Sequence, residues 1–191
     1  VKKVILSLLI AASTTFSFAQ TTWKSDKAHS QLKFDISHLG INTVSGAFGD
    51  FDVTVVAAKP DFSDAKFELT AQTASINTGV DMRNNHLKSP DFFEVEKYPT
   101  LTFKTTSLKK VSKDQYKLSG DLTMHGVTKP VTMDLTYRGT VVNPMSKKDV
   151  AGFHLAGTVK RADFGIGPKF PAPALSEEVT IVADGEFGKA Q

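Results

Sequence analysis

The sequence predicts an all-β fold: an eight-stranded antiparallel barrel with a short helical flap between the third and fourth strands. Three observations lead there. Apolar and polar residues alternate with period two in eight segments, the links between most of them are short and polar, and one stretch, residues 76–99, has no alternation.

Leu32, Phe34, Ile36 and His38 alternate with polar partners and give a first strand over 30–39. Phe51, Val53 and Val55 follow Gly46 and Gly49 in a second, over 44–56. Phe67, Leu69 and Ala71 mark a third over 64–75, and Leu101 and Phe103 a fourth over 100–109. Tyr116, Leu118, Gly120, Leu122 and Met124 mark the fifth, 115–124, and Val131, Met133, Leu135 and Tyr137 the sixth, 130–140. Phe153 and Leu155 flank His154 in the seventh, 150–160, and alternation from Val179 to Phe187 marks the eighth, 177–188. Lys59-Pro60-Asp61, Lys113-Asp114, Gly126-Val127-Thr128 and Asn143-Pro144 supply turns. Links this short favour antiparallel neighbours, because parallel pairs need long crossovers.

Within 76–99, Asp81 is placed to cap a turn of helix from Met82 to Leu87. Ser89-Pro90 reads as a second helix start, with Ser89 as N-cap and Pro90 in the first helical position. Phe92 and Phe93 then turn apolar surface onto the sheet, which makes this segment a flap or plug.

Strands with one apolar face build a closed barrel or a two-sheet sandwich. Closed, eight strands enclose an interior that is filled or that holds one small ligand. Ala71, Gly120, Gly157, Ala183 and Gly185 are small inward residues that leave volume or, alternatively, taper the barrel and relieve bends. By parity Phe34, Ile36, Phe51, Phe67, Leu69, Leu101 and Phe103 line the interior from the first four strands. Leu122, Met124, Met133, Leu135, Phe153 and Leu155 line it from the next three. Phe92 and Phe93 of the flap, with Phe164 after the seventh strand, complete the candidate apolar lining.

Residues 1–19 read as a cleaved signal peptide: Lys2-Lys3, an apolar run from Val4 to Ala12, and Ser17 and Ala19 before the cleavage point. The alternative is an uncleaved anchor. Residues 20–191 are then a single domain, exported to a periplasmic or extracellular space, with no transmembrane segment after cleavage. The formal charge of +3 falls to +1 once the two lysines of the leader are removed, which is no nucleic-acid footprint. The absence of cysteine excludes disulfides, thiol catalysis and thiolate metal sites.

The five histidines, His29, His38, His86, His125 and His154, form no HExxH pair, so no metal is expected. No GxSxG elbow is present, and Gly165-Ile166-Gly167-Pro168 is not a phosphate-cradling loop, so no cofactor is expected. His38, Arg83, His86 and Arg161 are candidates to meet a ligand head group at a barrel mouth, with Lys88 and Lys169 near them. The alternative is ordinary solvated loop charge.

Four blocks occur in order along the chain: WKSDKAHSQLKFDISHLGINTVSG (23–46), SINTGVDMRNNHLKSPDFFEVEKYPTLTF (75–103), LSGDLTMHGVTKPVTMDL (118–135) and KRADFG (160–165). Together they resemble the YceI-like family over essentially all of residues 20–191. The resemblance implies a lipocalin-like barrel that binds a polyisoprenoid or similar long-chain amphiphile internally, in proteins often exported to the periplasm and sometimes dimeric. It implies no enzymatic reaction. The chain departs from many relatives at Arg83-Asn84-Asn85-His86, where they carry Arg-Asp before the flap histidine. The reading that follows is an exported carrier, store or stress-response binder of a long-chain isoprenoid, quinone or fatty amphiphile. Two alternatives stand beside it: an enzyme acting on a lipid head group with His86, Arg83 or His125, and a structural or stress-response module with a filled core, as a monomer or a homodimer.

Overall fold

A computed structural model describes residues 19–190. The predicted signal peptide lies outside the described residues except for Ala19. The elements are β1 (Thr21–Ser25), β2 (Gln31–His38), β3 (Asn42–Phe48), β4 (Phe51–Ala57), β5 (Lys66–Gln72), β6 (Ile76–Asn77), α1 (Asp81–Lys88), β7 (Thr100–Lys110), β8 (Gln115–Met124), β9 (Val127–Val142), β10 (Asp149–Lys160) and β11 (Leu175–Lys189). Among the described residues, no helix is long and apolar enough to cross a membrane.

All pairings are antiparallel, and the ring β1-β4-β5-β7-β8-β9-β10-β11 closes on itself through β1 and β11. β2 and β3 continue the first two walls beyond short breaks: β1 pairs β4 (Trp23 with Val55) and β2 pairs β3 (Phe34 with Gly46), so residues 21–57 form one broken hairpin. The barrel therefore has the eight predicted walls. The part missing from the sequence reading is β1, which the alternation did not mark.

The breaks shift parity. Trp23 and Leu32 are both buried although one number is odd and the other even, and so are Phe48 and Val55. A bulge in β7 between Thr105 and Ser107 does the same, letting Phe103 and Leu108 both pack inward. At that bulge the Thr105 hydroxyl accepts from Phe67 N at 2.8 Å and donates to Phe67 O at 3.0 Å, replacing ladder bonds.

The flap differs from expectation in two details. Asp81 is the first residue of α1, not its cap; the cap position is Val80, which has no side-chain acceptor. Ser89-Pro90 starts no second helix. Instead the Ser89 hydroxyl donates back to His86 O at 2.7 Å and closes the end of α1, and residues 89–98 run on in turns.

The inward glycines do not leave volume; they are covered by neighbouring side chains. The Phe103 ring lies over Gly120, where a Cβ would also stand 2.5 Å from the Lys104 carbonyl oxygen. Met133 covers Gly157, and Phe187 covers Gly185.

Two apolar clusters fill the interior. The lower one, at the end holding the 58–65 loop, contains Trp23, Phe62, Phe67, Tyr116 and Phe153; the upper one, beneath the flap, contains Phe48, Phe92, Leu101, Leu122 and Phe164.

The register makes a direct prediction. Phe103→Asp places a charge on the inward face and lowers stability by about 3 kcal/mol or more in urea unfolding. Lys104→Asp, beside the exposed Glu68 with which Lys104 pairs at 3.1 Å, changes it by about 1 kcal/mol or less. Equal losses at the two positions would mean that the strand faces are reversed.

Candidate functional site

Two adjoining chambers lie within the barrel, a deep one that reaches Phe67, Leu118 and Phe153 of the lower cluster and one at the mouth. The deep one has a volume of about 150 Å³ and the mouth chamber about 400 Å³. Phe34, Phe48, Met124, Val159 and Ile181 line both and stand where the two adjoin.

Fifteen of the sixteen predicted apolar lining residues reach one chamber or the other. Phe51, Phe67, Leu69, Leu101, Phe103, Leu122, Met133, Leu135, Phe153 and Leu155 face the deep chamber. Ile36, Phe92 and Phe93 face the mouth, while Phe34 and Met124 face both. The exception is Phe164, 1 % exposed, which is packed in the upper core and lines neither chamber. It follows the last residue of β10 in a short 3-10 turn, where strand parity has no hold.

Two of the aromatic residues that the sequence reading left out of the lining show why it fell short. Phe48 sits on the far side of the break at Gly49-Asp50 from Phe51, so one continuous parity cannot include both. Phe170 belongs to the long loop between β10 and β11, whose sequence has no period. Phe170 stacks on Phe92 with ring centroids 5.1 Å apart and planes 11° from parallel.

This contact joins the two lips of the mouth. The flap contributes His86, Asp91 and Phe92; the β10–β11 loop contributes Lys169 and Phe170. Lys169 Nζ donates to Asp91 at 2.6 Å, and His86 Nε2 lies 3.3 Å from the other Asp91 oxygen. Lys169 first, and then His86, hold the Asp91 carboxyl below its ordinary range. The His86 ring also packs edge-on against Phe92 and Phe170.

All four predicted head-group residues, His38, Arg83, His86 and Arg161, line the mouth chamber. Their circumstances differ. Arg161 is 4 % exposed and donates to the carbonyls of Ser176, Ile166, Gly167, Phe170 and Leu175 and to the Glu177 carboxylate, at 2.6–3.2 Å. Every N–H of a guanidinium is then occupied. Arg161 is therefore corrected from head-group ligand to the staple of the β10–β11 loop.

Arg83 is held from one side: Nε donates to the Thr78 hydroxyl at 2.8 Å and Nη2 to Thr78 O at 2.9 Å. Its Nη1 has no partner among the described residues. Asn84 is buried beside it and completes the support. Its oxygen accepts from Thr78 N and Thr78 Oγ1, both at 2.8 Å, and its amide donates to Asn77 at 3.1 Å. An aspartate there would keep the two acceptor bonds and lose the donor bond to Asn77.

The remaining histidines stand apart from the chambers. His154 bonds Asp184 at 2.9 Å on the outer face, and His125 Nδ1 donates to Phe164 O at 3.0 Å while its ring packs on Tyr98. His29 bonds Asp26, whose carboxylate pushes the imidazole pKa up. With Glu186 these two form the one group of three histidine or carboxylate side chains close enough to share an ion among the described residues; all three are exposed.

An antiparallel barrel of eight walls, closed around an apolar interior and lipped by a helical flap, is a lipocalin-like barrel. The chain belongs to the YceI-like family, whose domain model matches residues 23–187. It is similar to a UPF0312 protein of Staphylococcus aureus strain bovine RF122 / ET3-1, with 41% identity over 171 residues, 87% of this chain and 97% of that one. Among solved structures it is similar to the YceI protein of Campylobacter jejuni, at TM-score 0.74 and 28% identity, covering 98% of this chain and 100% of that one. It shares its fold with BcnA of Burkholderia cenocepacia, at TM-score 0.76 and 23% identity over 85% of this chain and 98% of that one. It also shares it with a polyisoprenoid binding domain from Saccharophagus degradans, at TM-score 0.67 and 17% identity over 88% and 98% respectively.

The contrast between the two arginines is measurable. Arg161→Lys leaves several buried carbonyls unmatched and lowers stability by about 2–4 kcal/mol in urea unfolding. Arg83→Gln, at a half-exposed position, lowers it by about 1 kcal/mol or less.

Proposed function

We propose that this protein binds an amphiphile by its apolar chain, with the polar end at the mouth, in an exported setting where it carries or stores that molecule. The observation that supports this most directly is the deep chamber, which is walled by aliphatic and aromatic side chains. Its one unpartnered buried hydroxyl belongs to Ser30. An apolar cavity of this size stays dry and gains free energy when an apolar group enters, about 0.8 kcal/mol for each methylene buried.

The mouth supports the polarity of the ligand. Arg83 presents at the rim a nitrogen, Nη1, that has no partner among the described residues, and the exposed His38 and His86 line the same chamber. These suit an anionic or hydrogen-bond-accepting head group. An isoprenoid, a quinone or a fatty amphiphile combines the two requirements, and the first is the ligand class of the Saccharophagus degradans domain. The charged, apolar and small-residue pattern of residues 1–19 supports export.

The test is native mass spectrometry of the protein purified without detergent from its own extracytoplasmic fraction. A discrete adduct of lipid mass, released by organic solvent, is the expected result. Leu69→Trp, which fills the deep chamber, retains the far-UV spectrum of a β-barrel and lowers lipid uptake by about tenfold or more. Undiminished uptake by this variant would place the ligand elsewhere.

A further inference from the structure

The deep chamber stops above the lowest aromatic layer of the barrel. Phe153 lies at its floor, edge-on to Phe67 and Phe187 at centroid distances of 5.3 and 5.4 Å. Beneath Phe153 is a further aromatic layer that does not touch the chamber. Phe62 packs edge-on against Phe153 at 5.0 Å, and it meets Tyr137 at 5.0 Å and Trp23 at 5.3 Å.

Phe62 is not a strand residue. It comes from the β4–β5 loop, adopts a left-handed backbone with φ of 56°, and is 3 % exposed. Its loop is fastened: Asp64 accepts from Ala58 N and Lys59 N, Asp61 accepts from Lys110 at 2.7 Å, and the Tyr116 hydroxyl donates to Asp61 O at 2.6 Å. The lower end of the barrel is thus closed by a plug, and an occupant can reach no further than the level of Phe153.

We infer that this aromatic floor, with Phe62 as its key, sets the length of chain the protein accepts, at about fifteen to twenty carbons. The inference rests on the proposal that the chambers hold a lipid. An apolar cavity of about 150 Å³ takes a molecule the size of benzene. The deep chamber on that scale takes about six carbons, and the mouth chamber of about 400 Å³ about sixteen by the same ratio. Part of the mouth volume belongs to the head group. The fitting class is therefore an amphiphile with three or four isoprene units or an ordinary fatty chain, and not a chain that threads the whole barrel.

Each methylene buried tightens binding about fourfold, and each one left in water contributes nothing. Affinity therefore climbs with length until the chain reaches Phe153, and then levels off. Titration of the purified full domain with geraniol, farnesol, geranylgeraniol and solanesol, followed by native mass spectrometry, reads this directly. Affinity rises about tenfold or more from geraniol to farnesol and changes less than about threefold from geranylgeraniol to solanesol. Phe62→Ala and Phe153→Leu lower the floor, so in either folded variant solanesol gains about tenfold over geranylgeraniol. A wild-type affinity that keeps climbing to solanesol would overturn the inference, as would an unmoved plateau in both folded variants. Failure of every prenyl alcohol and of matched fatty acids to bind would instead overturn the lipid-binding proposal beneath it.

Discussion

A strand in a barrel needs a partner on each edge, and β11 is where this requirement is met. One edge of β11 pairs β10 from Lys160–Glu178 to Val150–Gly188. The other edge pairs β2 along its upper part and β1 along its lower part. A single long strand thus spans the break between β1 and β2 and seals the ring. Without that bridging, the break at 26–30 would open a slot in the wall and admit water to the interior. The apolar chamber depends on it.

The breaks that β11 tolerates also divide the interior. Below them, Trp23, Phe62 and Phe153 pack as solid core; above them, Phe34 and Phe48 frame open space. The aromatic-on-glycine contacts belong to the same arrangement. A ring such as Phe103 can lie this close to the wall only where its neighbour, Gly120, has no Cβ, so the space the glycine frees is taken by the ring.

The eight walls were legible because each half-buried strand must alternate, and alternation leaves a direct trace in sequence. Lining residues such as Leu69, Leu122 and Leu155 followed from parity alone. Parity failed where the backbone changes phase, at Phe48 and Trp23, and where there is no strand, at Phe62, Phe164 and Phe170. Bulges and breaks are single-residue events without a distinctive composition, and a phenylalanine in a loop looks the same whether it plugs a barrel or covers it. Arg161 shows another limit. Its position at the mouth was legible, but its role turns on six acceptors scattered over residues 166–177, most of them backbone carbonyls that carry no side-chain signature.

The pairing of β1 with β11 has a consequence in time as well as in space. Trp23 meets Lys189 across almost the whole length of the domain, whereas most other walls join chain neighbours. The last seam of the barrel therefore carries the largest loop-closure entropy, and it forms late in folding. Until then the nascent sheet has two unpaired margins, one on β1 and one on β11, each able to recruit a strand from another chain. The finished barrel hides both. The hazard of self-association is thus concentrated in the interval before closure, when the chain is complete but its two extremities have not yet met.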